Sequence, residues 1–404
     1  MRKLFIVVVL GLLVALAVAP VAAQASSKSA KDTAVIKIGD IRPLTGNMAI
    51  TSQRMVKAFN WAFAQAGNTV AGHKIQIITM DSQGDPATAV DCARTLVERD
   101  HVAMIVGPTQ GGEQMAVAAY CQSVGVPEMF TNPEPIAATT PNFSWIIGGS
   151  CTEPQMSSAM GSYTYKKLGI KSVDILSSDF TPGHTFSAAF INTYKKLGGT
   201  VTKETYAPYP TNDWSPYLTT QPAAGALVSW TDGANSIKFL TQYYQMGLIK
   251  KLPLIAEFHG SFLAPIILNA LPAKIAAYYI GSLVPVPYSP LLNTPANKKF
   301  VAAFKKKFHM LPEDTDSGPY QGAQIILHAL RATKGDTTPA KLKAAILAVN
   351  FTGEEGLVKF NQATRSAVKN VYIAKIAKTK VAGLGSVFVW QPVFTYKNVP
   401  PAGL

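Results

Sequence analysis

Cysteine, acidic side chains and long apolar runs are all scarce in this chain of 404 residues. Three cysteines with no C-x-x-C spacing exclude a disulfide scaffold, a zinc ribbon and a thioredoxin-like motif. Beyond the first 20 residues no apolar run reaches the ~18 that cross a bilayer, which excludes a protein of many membrane-spanning helices. Catalytic signatures are missing too. There is no G-x-S-x-G elbow, no Walker lysine loop and no G-x-G-x-x-G after the first strand. None of the 6 histidines stands four residues from another or at a zinc-ligand interval from a cysteine, so neither metal nor cofactor is expected. Asp and Glu number 23 against 37 Lys and Arg, a formal charge of +14. The lysines fall mainly at helix ends and on helix faces, as in Tyr165-Lys166-Lys167-Leu168-Gly169 and Lys305-Lys306-Lys307, where they complement the helix dipole. No aromatics are interleaved with them for base stacking, so the charge does not indicate nucleic-acid binding.

What is present begins with an address. Arg2 and Lys3 precede an apolar run from Leu4 to Ala19, then Pro20 and small residues, the layout of a secretory signal. We expect residues 1–25 to be removed, which lowers the charge to +12, and the mature protein to lie in the periplasm or outside the cell. An uncleaved anchor is the alternative. The mature chain then alternates short β-branched runs with amphipathic helical stretches. Strands at Ala34–Gly39, Ile75–Met80, Val102–Gly107 and Glu128–Thr131 are separated by helices, one of which carries Met55, Ala58, Phe59, Ala62 and Phe63 on one face. A second series runs through Ser172–Leu176, Thr200–Tyr206, Gly225–Trp230 and Leu252–Ala256, followed by a helix over 316–332 and strands near 357–360 and 371–376. From Gly383 onward we expect a Pro/Gly-rich tail apart from Val387–Trp390. The fold class is α/β, two doubly wound lobes with parallel sheets. In a sheet of order 2-1-3-4-5 the helices bearing Cys92 and Cys121 lie side by side, so a disulfide between them and a pair of buried free thiols both remain open.

Two exported α/β lobes without catalytic motifs suit ligand capture, because open parallel sheets bind ligands beyond the carboxyl ends of their strands. The residues at those ends carry a resemblance. Ile36 to Gly46 (IKIGDIRPLTG), Met48-Ala49-Ile50, Ala71-Gly72-His73-Lys74-Ile75, the Asp81…Asp85-Pro86 loop, Val106-Gly107-Pro108-Thr109 and Gly125-Val126-Pro127 are similar to type I periplasmic solute-binding proteins. So are Thr211-Asn212-Asp213-Trp214-Ser215 and Gly318-Pro319-Tyr320-Gln321-Gly322-Ala323. The branch it resembles binds leucine, isoleucine and valine, amides or urea and feeds ABC importers. The resemblance implies a monomer of two lobes joined by three crossovers near 149, 285 and 356, with lobe 1 at 34–148 plus 286–355 and lobe 2 at 149–285 plus 356–404. Ligand is held in the cleft and the closed form meets a membrane permease.

The same resemblance puts the anion site at the helix start Thr109-Gln110-Gly111-Gly112-Glu113, with Gly111 where the family has a hydroxyl, and a second contact at Thr131-Asn132. On the other lobe the strand ends are Asp179-Phe180, Trp230-Thr231-Asp232 and Glu257-Phe258-His259. Glu257 or Asp232 can meet a ligand ammonium, whereas Phe180, Trp230 and Phe258 can clamp an aromatic ring. The ligand expected is a small carboxylate or amide: an amino acid, an amide or an aromatic acid. Two other functions fit the same residues, a ligand-sensing subunit of a signalling system and a secreted amide or ester hydrolase using Asp179, Glu257 or His259.

Overall fold

The computed structural model describes residues 35–133, 141–221, 224–231, 233–257 and 263–404. The expected leader at residues 1–25 and three of the expected site positions, Asp232, Phe258 and His259, lie outside them.

The chain opens with β1 (Ile36–Arg42), α1 (Ala49–Gln65), β2 (Thr69–Val70), β3 (His73–Asp81), α2 (Pro86–Arg94), β4 (Ile105–Val106), α3 (Gly111–Val124), β5 (Glu128–Phe130) and β6 (Ile146–Gly148). Next come α4 (Glu153–Lys166), β7 (Ser172–Asp179), α5 (Thr181–Lys196), β8 (Thr200–Pro208), α6 (Ser215–Leu218), β9 (Leu227–Ser229), α7 (Gly233–Gln245), β10 (Leu254–Ala256), α8 (Pro265–Ala270), α9 (Ala273–Tyr278) and β11 (Leu283–Val286). It ends with α10 (Pro295–Phe308), α11 (Asp314–Ala332), α12 (Pro339–Leu347), the short pair β12 (Phe351–Gly353) and β13 (Gly356–Val358), and two long strands, β14 (Lys369–Val381) and β15 (Gly385–Val399).

Two sheets result. One has the order β2-β3-β1-β4-β5-β6 and the other β15-β14-β11-β10-β9-β7-β8. In the first, β3, β1, β4, β5 and β6 are all parallel. β1, β4, β5 and β6 are short and almost wholly buried, as the inner strands of a parallel sheet demand, whereas β3 is longer and half-buried. Helix α1 buries Met55, Ala58, Phe59, Ala62 and Phe63, the face its periodicity predicts. Local chemistry fixes the helix starts: the Asp85 carboxylate accepts from Thr88 N at 2.7 Å, and Pro86 occupies the first turn of α2. Among the described residues no helix is long and apolar enough to cross a membrane.

The second sheet departs from the expected all-parallel pattern. β11 pairs antiparallel with β14, and β14 with β15 through twelve residue pairs from Lys369↔Val399 to Val381↔Gly385. The segment expected to be a loose tail is therefore a 15-residue edge strand. Pro392 hid it from a sequence reading. On an edge strand beside the register shift at Ile373/Ala374, a missing N–H is tolerated.

Cys92 and Cys121 are free thiols, and all three cysteines are buried. Cys92 turns its Sγ to the Asp81 carbonyl at 3.5 Å. Cys121 faces the Glu128 carboxyl, and burial raises its thiol well above the usual range. Each thiol thus turns to a strand residue and not to the other helix, and no bridge joins Cys92 to Cys121 in this structure.

Candidate functional site

A pocket lies where the strand ends of both sheets meet. It holds about 650 Å³ of atom-free space, part of it open to solvent. Thr109, Gln110, Gly111, Gln114, Asn132 and Pro133 line it on the side of the first sheet, and Phe180, Pro182, Phe186, Trp230 and Glu153 on the side of the second. Met48, Thr51 and Met55 from the start of α1, and Asp314 and Thr315 from the first turn of α11, complete the wall.

The backbone that delivers these groups is tightly specified. Gly107 follows β4 with φ +87°, and a β-carbon there would stand 2.3 Å from the Ile41 carbonyl oxygen. Only glycine lets the chain pass so close to β1 and then present Thr109 and the N-terminus of α3. Gly318 and Gly322 do the same for α11. Added β-carbons would meet Thr131 O at 2.5 Å and Thr131 Cγ2 at 2.3 Å, so two bare turns seat the helix against the loop after β5. Gly112 is different, since a β-carbon on it would meet only Pro86 Cγ at 3.8 Å; space does not require glycine at that position.

Behind the wall, Arg42 organises the loop after β5. It is fully buried and donates from Nε to Asp40 Oδ1 at 2.8 Å, from Nη2 to Thr131 Oγ1 at 2.8 Å and from Nη1 to Asn132 Oδ1 at 3.1 Å. Asn132 in turn donates to Thr109 O at 2.7 Å. Gln114 ties the same two loops, its Nε2 donating to Pro108 O at 3.2 Å and Pro133 O at 3.3 Å. Across the pocket the aromatics form a ladder. Phe180 is stacked on Tyr209 at 4.8 Å and on Trp230 at 6.4 Å, and Phe186 packs on Trp230 at 5.6 Å.

No Lys, Arg or His lines the pocket among the described residues. The Gln110/Glu113 capping box occupies the N–H groups of those two residues, so an anion would instead meet those of Gly111 and Gly112 in the first turn of α3. Two hydrogen-bonding groups on the opposite walls, Trp230 Nε1 and Thr315 Oγ1, are buried without a partner. Glu153 is buried as well, and its carboxyl is pushed up to about 8 by loss of solvent, against a small opposing effect of Thr185. At neutral pH it stands as an uncharged acid.

Of the expected site residues, Gln110, Gly111, Asn132, Phe180 and Trp230 reach the pocket. Gly112 and Thr131 do not line it; the Thr131 hydroxyl is spent on Arg42. Glu257 is placed away from it. Its carboxylate accepts from Ser187 Oγ at 2.8 Å and Ser177 Oγ at 3.3 Å inside the second lobe, and burial pushes it up to about 8 despite those two hydroxyls. A neutral acid so enclosed is no counter-charge for a ligand ammonium. Asp179 pairs on the surface with His184 at 2.8 Å. Neither it nor Glu257 borders the pocket, so the hydrolase reading has no assembled machinery among the described residues. Trp214 is fully buried, edge-on to Phe239 at 5.0 Å, consistent with packing beneath the Ser215 helix start. Sequence reasoning missed Glu153, Gln114, Asp314 and Thr315. Glu153 had a signal, the capping box Thr152/Gln155 just past a crossover.

The Glu257 environment gives a pH prediction. Its folded pKa lies above the unfolded one, so the stability it contributes is full below about 4.5 and is lost as pH rises through about 8. Glu257→Gln is expected to be more stable than the parent at pH 8, the gap closing toward pH 5, at up to ~1.4 kcal/mol per pH unit. Urea melts at both pH values check this; parallel pH slopes for the two proteins would refute it.

Comparisons with known proteins agree with this geometry. A family model described as periplasmic binding protein matches residues 35–380. The chain is 27% identical over 91% of its length, and 92% of the relative's, to a Leu/Ile/Val-binding protein homolog of Brucella melitensis. Among solved structures, an ABC transporter substrate-binding protein from Sphaerobacter thermophilus superposes with a TM-score of 0.84 at 27% identity, covering 91% of this chain and 99% of that one. A solute-binding protein of an ABC transporter from Rhodopseudomonas palustris BisB5, in complex with 3,4-dihydroxy benzoic acid, does so with a TM-score of 0.82 at 27% identity, covering 91% and 98%.

Proposed function

We propose, from the premise that the chain belongs to the periplasmic binding protein family, that its ligand is a small aromatic carboxylate and that closure of its two lobes presents this ligand to an ABC permease. The family is one of non-enzymatic solute-binding proteins and implies an extracytoplasmic location, which supports reading the protein as a receptor for ABC transport. We further take residues 1–25 as a cleaved signal, the hinge as three crossovers near 149, 285 and 356, and the working form as a monomer without nucleic acid. Closure about such a hinge is a standard motion of periplasmic binding proteins.

The observation that carries the ligand class is the aromatic ladder Phe180–Trp230–Phe186 facing the start of α3 across a pocket without basic side chains. A ring stacks on the ladder while its carboxylate meets the first-turn N–H groups of α3. The Rhodopseudomonas neighbour with a bound dihydroxybenzoate supports the same class. Leucine, isoleucine or valine fits less well, because the acid expected to hold an ammonium, Glu257, is sealed inside the second lobe.

A thermal-shift panel of benzoate, 4-hydroxybenzoate, 3,4-dihydroxybenzoate, leucine, isoleucine, valine and urea tests this. A true ligand at ~100 times its Kd adds about 2.7 kcal/mol. The aromatic acids are expected to raise the Tm and the aliphatic amino acids to leave it unchanged. A shift with the amino acids alone would overturn the aromatic assignment and leave the receptor role standing.

A further inference from the structure

We propose that Gln114 is a specificity-determining residue whose Oε1 accepts a hydrogen bond from a ring hydroxyl of the ligand, so that the receptor selects hydroxylated aromatic acids over the bare ring. This rests on the aromatic-carboxylate reading and deepens it.

The amide of Gln114 has only one orientation. Its nitrogen donates to the carbonyls of Pro108 at 3.2 Å and Pro133 at 3.3 Å. Turning the amide over would set its oxygen against both carbonyl oxygens and lose both bonds. Two prolines end those loops, and neither carries an N–H to offer in return. The oxygen is therefore left over. Gln114 is fully buried, lines the pocket, and its Oε1 has no partner.

A buried acceptor without a donor costs the folded protein the desolvation of that group. A ligand that brings a donor to it recovers that cost. Neither a carboxylate nor an unsubstituted ring has one; a phenolic hydroxyl does, and so does an aromatic amine. The position is also right for a ring substituent. Gln114 lies three residues beyond Gly111 on α3, about 4.5 Å along the helix axis from the anion-binding first turn. A small ring anchored by its carboxylate at that turn spans the interval. Sites of this kind discriminate strongly, because an analogue lacking the hydroxyl leaves the buried acceptor unpaired.

The test is isothermal titration of the full mature chain with benzoate, the 2-, 3- and 4-hydroxybenzoates, and the methoxy- and aminobenzoates of matching position. One hydroxy isomer is expected to bind about tenfold or more tighter than benzoate. The amino compound of the same position should keep most of that gain. The methoxy compound, which has the bulk and no donor, should bind no better than benzoate. In Gln114→Met the preference for the hydroxy isomer over benzoate should fall to about twofold or less while benzoate itself still binds. Equal affinity for benzoate and every hydroxy isomer overturns the proposal, as does a methoxy compound that matches its hydroxy partner. An undiminished preference in Gln114→Met overturns it too, and if that variant does not fold the donor series in the parent protein decides alone. Failure of every aromatic acid to bind refutes the ligand class itself, which separates that failure from this one.

Discussion

Replacing Arg42 by methionine is expected to cost the protein about 3–5 kcal/mol, the loss found when one partner of a buried ion pair is removed. The side chain is wholly enclosed, and it is the bonded counter-charge of the equally enclosed Asp40. Without it Asp40 takes up a proton, and Thr131 Oγ1 and Asn132 Oδ1 lose their donor. Burial already raises the Asp40 carboxyl despite Arg42 and raises it further without it, so the gap between variant and parent should narrow as pH falls from 7 toward the ordinary range of Asp. Chemical denaturation at pH 7 and pH 4 measures it. A loss under ~1 kcal/mol at pH 7 would show that the buried pair is not what holds the loop after β5.

Trp230→Ala has the largest expected effect on binding. The indole is the middle of the ladder, with Phe180 on one side and Phe186 on the other, and it is 4% exposed. Truncation removes the stacking surface and an unpartnered N–H at once. Central, desolvated aromatics of this kind carry ~2 kcal/mol or more, so the Kd for 4-hydroxybenzoate should rise about 30-fold or more. Trp230→Phe keeps a ring and should recover most of that loss. Titration of both variants, after circular dichroism confirms that each is folded, separates ligand contact from packing. If the alanine variant binds as the parent does, the aromatic wall is not the ligand wall.

Much of this architecture is legible in the sequence because its elements are punctuated. Short apolar runs are bounded by glycines such as Gly107 after one strand and Gly225 before another, and the helices between them carry one apolar stripe. The rule that ligands sit beyond the carboxyl ends of parallel strands picked out Phe180 and Trp230, the family resemblance picked out Gln110, Gly111 and Asn132, and those residues do line one pocket. The same rule misplaced Glu257. A strand end fixes where the backbone stops and leaves open which way the next side chain turns, and Glu257 turns to Ser177 and Ser187. Helix-borne residues were missed for a related reason. Gln114, Asp314 and Thr315 reach the pocket only because Gly107, Gly318 and Gly322 allow close approaches between segments far apart in the chain, and no local pattern encodes such distances. The β14–β15 hairpin was hidden by Pro392 and by an outer half of β14 that alternates between half-buried and exposed residues, a pattern opposite to that of the parallel core.

The most direct measurement is a crystal structure of the mature protein grown with 4-hydroxybenzoate. We expect one molecule between the two sheets, its ring against Phe180 and Trp230, its carboxylate at the first turn of α3 and its hydroxyl within hydrogen-bond distance of Gln114 Oε1. Ligand density away from this pocket, or a pocket that retains an aliphatic amino acid in the presence of the aromatic acid, would contradict the account.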